Sequence, residues 1–165
     1  MENGMTEVEQ LIVQIRDAFD GVVLGDGISF NMTEYYDSGG CGEEYRIAAA
    51  HDERVDWRAI PGSTLEQFTV TFSFTDLEGF RFYIPAYMTW TALNFRRSDS
   101  IISDFTIYAI DPHHYLFEET PMNEYFTKAQ MDVLIAFLQF CTENEDWLDV
   151  RQAEGNLKRL SRMTE

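Results

Sequence analysis

Two short patterns near opposite ends of the chain constrain its fold more than anything else in the sequence. Thr6 is followed three residues later by Glu9, and Thr127 by Gln130. In such a pair the hydroxyl accepts from the third helical N–H, and the longer side chain reaches back to the first residue's own N–H. Two donors that a helix start would leave unmet are thereby satisfied together. Behind Thr6, the apolar residues Val8, Leu11, Ile12, Ile15 and Phe19 recur at helical spacing, with Glu7, Gln10, Gln14 and Asp17 opposite them. Behind Thr127, Met131, Leu134, Ile135, Leu138 and Cys141 line one face. Both patterns specify capped amphipathic helices, and the expectation is a mainly α-helical fold.

The chain between them reads less evenly. Gly21 and Gly25 end the first helix. Ser29 is placed to cap a second, short helix through Tyr36, broken by Gly39, Gly40 and Gly42. A third helix is expected over 43–51, followed by Asp56-Trp57-Arg58-Ala59-Ile60-Pro61. Residues 63–75 support two readings. Phe68, Val70, Phe72 and Phe74 alternate with Thr69, Thr71, Ser73 and Thr75, a strand pattern in β-favouring residues. Asp76-Leu77-Glu78-Gly79 would then turn the chain into a return strand over 80–84. The competing reading is a helix capped at Ser63. A small β-hairpin near 67–84 is therefore the leading departure from an all-helical fold. Pro85 suits the first turn of a helix running to Phe95, since a proline's missing N–H is no loss there. Residues 101–110 stay open between strand and helix, and a last helix is expected over 147–160. With no linker-like or low-complexity run, 1–165 reads as a single globular domain with 1–5 and 161–165 disordered.

The charge decides which partners are plausible. The 165 residues carry 29 acidic and 12 basic side chains, a formal net charge of -17. Such a chain repels phosphate backbones and anionic lipid heads, so nucleic-acid binding is not expected. The basic residues Arg151, Lys158, Arg159 and Arg162 suit a last helix whose cations complement its dipole. Acidity does not mean disorder here: the chain is 45% hydrophobic and has 13 Phe, 8 Tyr and 3 Trp, enough to build a core. No apolar run approaches the ~18 residues that span a membrane. The start lacks the basic and apolar regions of a secretion signal, so the expectation is a cytoplasmic protein. Cys41 and Cys141 form no CxxC pair; Cys141 is expected to be a buried free thiol, and a disulfide between the two is not expected in an intracellular chain, though the sequence alone does not settle it.

The segments Asp56-Trp57-Arg58-x-Ile60-Pro61 and Asp76-x-Glu78-Gly79-Phe80-Arg81-Phe82-Tyr83-x-Pro85-Ala86-Tyr87-Met88, with Gln130, Val133, Phe137 and Leu138 in a later helix, resemble a family of small, acidic, uncharacterised bacterial proteins known as a domain of unknown function. The resemblance covers about residues 6–142. It implies a bacterial, cytoplasmic, single-domain and mostly helical protein, including the stretch before the Asp-x-Glu-Gly segment. It brings no activity, and hence no catalytic residue.

Two groups of residues are candidates for function. Arg81, Tyr83 and Tyr87 could form a ligand pocket, because a guanidinium beside aromatic rings can stack on them and grip a carboxylate or phosphate. Glu118, Glu119, Glu124, Glu143, Glu145, Asp146 and Trp147 could form a partner-binding surface, with carboxylates steering a basic protein and the ring anchoring it. His51, His113 and His114 lack the spacing of a metal site, and neither metal nor cofactor is expected. No nucleophile motif is present. The expected function is that of a non-enzymatic interaction protein, of an accessory or immunity type, binding a basic partner; the alternative is a small-ligand binder or enzyme built around Arg81.

Overall fold

The computed structural model describes residues 4–97 and 101–165. Among these are helices α1 (Glu7–Ala18), α2 (Phe30–Asp37), α3 (Glu43–Ala48), α4 (Gly62–Gln67), α5 (Thr71–Phe74), α6 (Leu77–Asn94), α7 (Ile102–Ala109), α8 (Met122–Tyr125), α9 (Lys128–Thr142) and α10 (Val150–Met163), with short 3-10 turns between some of them and no strand. The fold is mainly α, as the helical periodicity predicts. No helix among the described residues is long and apolar enough to cross a membrane. The chain divides into two compact units, one of residues 1–20 and 88–165 and the other of residues 21–87. Helix α6 begins in the second and ends in the first.

In the first unit α9 is the central element and packs on α1 and α10. Both expected capping boxes are present: Glu9 N donates to Thr6 Oγ1 at 3.2 Å, and Gln130 N to Thr127 Oγ1 at 3.2 Å. Each capped start fixes the phase of the face that follows. Leu11 and Ile15 are buried on α1 with Phe19 just past its end, and Met131, Leu134, Leu138 and Cys141 on α9. A side chain of this size, fully buried, stabilises by about 1.5–3 kcal/mol. Gln130 also donates from Nε2 to Ala18 O at 3.2 Å, which ties the start of α9 to the end of α1 and sets the two antiparallel. Helix α10 starts three residues later than expected, because Asp149 is its cap and accepts from Gln152 N at 3.1 Å. It runs to Met163, into the stretch expected to be disordered; of the N-terminal stretch, residues 1–3 lie outside those described. Residues 101–110, open between strand and helix, form α7. Buried Asn156 anchors α10 to it, donating from Nδ2 to Ile107 O at 2.8 Å.

The hairpin near 67–84 is not formed, and the reason lies in the threonines. The buried positions are Phe68, Thr71, Phe72 and Thr75, a helical spacing, while Ser73 is exposed. An alternating reading assumes that threonine faces water. Here Thr75 donates from Oγ1 to Ile28 O at 2.9 Å, and Thr71 Oγ1 lies 3.1 Å from Tyr87 Oη. Once their hydroxyls are bonded, the threonines bury as readily as the phenylalanines. The Asp-x-Glu-Gly segment is likewise a helix start. Asp76 Oδ1 accepts from Gly79 N at 2.9 Å and from Ile28 N at 3.0 Å, capping α6 and docking the preceding loop in one step. Pro85 therefore sits inside α6, at its ninth residue, rather than at the first turn of a helix. The 82–88 stretch around it is buried on every side, so packing holds a helix that the proline alone would break.

Candidate functional site

Spacing on α6 separates the three residues expected to form one pocket. Tyr83 and Tyr87 are one turn apart and share a face, whereas Arg81 lies roughly 200° around the helix from Tyr83. Both tyrosines are fully buried and Arg81 is half-buried. Each hydroxyl is engaged by the chain itself. Tyr83 Oη accepts from Phe30 N at 3.1 Å, and Tyr87 Oη donates to Phe68 O at 2.7 Å. Burial pushes both phenols well above the ordinary tyrosine range, so both stay neutral.

What the tyrosines build is a support. The Phe30 ring stacks on Tyr83 at 3.9 Å between centroids and on Phe68 at 4.8 Å, with Tyr87 edge-on to it at 6.2 Å. Four rings thus lock together, each pair adding about 0.5–1.5 kcal/mol beyond its area burial. Ser29 takes the cap position of α2 as expected but makes no capping bond. The open N–H groups go to tertiary partners instead: Phe30 N to Tyr83, and Asn31 N to Asp52 Oδ2 at 2.9 Å.

Phe30 and Phe68 of this stack also line an open cleft of 560 Å³, within the usual size of small-molecule sites (~300–1,000 Å³). Phe30, Ile60, Pro61 and Phe68 are among the apolar residues that line it, and Asn31, His51, Asp52, Glu53, Thr64 and Gln67 are the polar ones. Asp52 takes two bonds from Asn31, the second from Nδ2 at 2.6 Å, and Glu53 Oε1 takes the backbone N–H groups of Val55 and Asp56 at 3.0 and 2.8 Å. The wall carboxylates are therefore held in place by the fold. Little in the sequence marks this cleft: His51-Asp52-Glu53 reads as the frayed end of a helix, and its apolar lining comes from other segments.

The expected partner surface lies in the first unit. Glu118, Glu119, Glu124, Glu143, Glu145, Asp146 and Trp147 are all exposed, Trp147 at 56%. They do not form one patch. Glu118, Glu119 and Glu124 precede α9 and the others follow it, so the length of that 15-residue helix, roughly 22 Å, separates two clusters. Only the second carries an exposed tryptophan. Its acidic charge is crowded: Glu7, on α1, is raised above the usual carboxylate range, chiefly by a hydrogen bond shared with Glu143, then by desolvation and by the charge of Glu143, with Arg96 partly offsetting these. Arg96 reaches the same corner, donating from Nη2 to Asn144 Oδ1 at 3.1 Å. On the other side of the connection Asp149 is lowered, first by the bond from Tyr108 Oη at 2.7 Å. Cys41 is an exposed free thiol. Cys141 is free and buried, which pushes its thiol up and leaves it no nucleophile at neutral pH.

The chain belongs to a family of unknown function, DUF6714, which it matches over residues 7–160. No curated protein and no solved structure matches it.

Proposed function

We propose that this chain is a non-enzymatic interaction protein, of an accessory or immunity type, whose acidic surface binds a basic protein. The observation that carries the reading is Trp147: a large ring 56% exposed in the connection from α9 to α10, among the exposed carboxylates of Glu143, Glu145 and Asp146. Exposed tryptophan is scarce because burial rewards it, and at interfaces it is a preferred anchor. Carboxylates around it attract lysine and arginine at long range and can pair with them at the rim, while the ring face takes a guanidinium. The net charge of -17 adds steering from a distance. Glu118, Glu119 and Glu124 form a second acidic cluster, which extends the field. Two free thiols fit the reducing interior of a bacterial cytoplasm, which is where we place the protein.

The test is capture of the partner from the native host on the immobilised chain, with release by rising salt. A single basic protein released at moderate salt, and not captured by Trp147→Ala, supports the reading. Capture that ignores both salt and the substitution removes it.

A further inference from the structure

The cleft beside the Phe30–Tyr83–Phe68 stack is independent of the acidic surface, and its chemistry is more specific. Its apolar lining includes Phe30, Ile60 and Phe68. Its wall is rich in acceptors: Asp52 and Glu53 contribute two carboxylates, and the Gln67 amide contributes a carbonyl. Among the described residues that line it there is no lysine or arginine. His51 is the only basic side chain among them, so an anion would meet two carboxylates against a single imidazole. A purely apolar ligand would leave the acceptors facing it unmatched. The carboxylates also keep spare acceptor capacity. Each Asp52 oxygen takes one bond from Asn31, and Glu53 uses Oε1 for its two backbone bonds. A carboxylate has room for about four bonds in all.

We infer that this cleft binds an organic ammonium: a cation whose N–H donors meet Asp52 and Glu53 and whose apolar body lies against Ile60, Phe68 and the edge of Phe30. The apolar lining is prebuilt, because the tyrosines fix its two rings: Phe30 through the Tyr83 stack and backbone bond, and Phe68 through the Tyr87 bond to its carbonyl. The wall is prebuilt too, because Asp52 is fixed by Asn31 and Glu53 by the turn that follows it. Little ordering cost then falls on the ligand. Tyr83 and Tyr87 are positioning residues in this arrangement and touch no ligand.

The experiment is an amide chemical-shift titration of the full chain with three probes of one shape, 2-phenylethylammonium, neutral 2-phenylethanol and phenylacetate. The inference expects saturable shifts at Asn31, Asp52, Thr64 and Gln67 with the ammonium, and binding at least about tenfold weaker for the other two, the scale set by a charge-assisted hydrogen bond. Gln67 is exposed, so Gln67→Lys leaves the fold intact and puts a competing cation on the wall; it should cut ammonium binding by about tenfold or more. Glu53→Gln keeps the acceptor for Val55 and Asp56 and removes the charge, so several-fold weaker binding is expected. Equal binding of the alcohol and the ammonium would overturn the assignment. So would shifts scattered over acidic residues elsewhere and unchanged by Gln67→Lys, or no saturable shift at all.

Discussion

Gly79→Ala sets two well-known effects against each other, and the geometry decides the sign. Gly79 is the third residue of α6. On helix propensity alone, alanine there should stabilise by about 1 kcal/mol. A Cβ at this position, however, would lie 1.8 Å from Thr75 Oγ1 and 2.8 Å from Ile28 O. Rotating Thr75 away relieves the first contact but breaks its 2.9 Å bond to Ile28 O and leaves buried polar atoms unpaired, at a cost of about 1–3 kcal/mol. The second contact is with backbone and can be relieved only by moving Ile28, whose N–H is itself bonded to Asp76 at 3.0 Å. Overpacking of this kind costs about 1–3 kcal/mol. The net expectation is a loss of roughly 1–5 kcal/mol, or several degrees in the thermal midpoint at about 2–4 °C per kcal/mol. Gly155→Ala is the control. It lies inside α10, its added Cβ would meet nothing nearer than 3.6 Å, and it should stabilise by about 0.5–1 kcal/mol. Urea and thermal unfolding of the two variants beside the parent give the comparison. If Gly79→Ala is neutral or stabilising, the close approach of the 28, 75 and 79 backbones is wrong.

Other consequences are open to simple measurements. Tyr83→Phe orphans the buried Phe30 N–H and should cost about 1–3 kcal/mol, read as a lower urea midpoint with unchanged slope. Glu143→Gln should stabilise at neutral pH. It removes the partner that raises Glu7 and a negative charge at the C-terminal end of α9. A carboxyl raised in the folded state favours folding below its unfolded pKa and loses that contribution as pH rises through the folded value. The advantage of Glu143→Gln should therefore vanish as pH falls below the carboxylate range, which a series of thermal melts would show. Asp149→Ala removes the α10 cap and should cost about 0.5–2 kcal/mol in the same assay. Trp57 and Trp90 are each only 5% exposed, so Trp147→Phe should abolish most of the acrylamide-quenchable fluorescence while leaving stability within about 0.5 kcal/mol.

The sequence was most legible where local chemistry and burial agree. At α1 and α9 a capping box fixes the start, and a single apolar face follows at helical spacing, so start and buried face were both readable. It was least legible where a polar residue is buried by a distant partner. Thr71 and Thr75 look like the outward positions of a strand until the Ile28 carbonyl and the Tyr87 hydroxyl are placed beside them. Pro85 looks like a helix start because nothing local says that α6 begins eight residues earlier on an Asp76 cap. The exposure of the acidic residues followed from their charge, whereas an apolar ring such as Trp147 reads as core, and the division into two clusters depends on the length of α9. Arg81 and Tyr83 read as part of a return strand and Tyr87 as part of a helix begun at Pro85, whereas all three lie on α6. The periodicity of α6 puts the tyrosines together behind Phe30 and Phe68 and sends the arginine around the helix. The cleft itself joins residues 30–31, 52–53 and 60–68, which no local pattern connects.

The interaction reading is tested most directly by the affinity of the captured partner for the parent chain and for a Glu145→Gln, Asp146→Asn, Trp147→Ala variant, at about 0.01 M and about 0.15 M salt, over which the screening length falls from about 30 to about 8 Å. The account predicts that binding to the parent weakens clearly with salt, and that the variant binds at least about tenfold more weakly and with a smaller salt dependence. Equal affinity of parent and variant at both salt concentrations would contradict it.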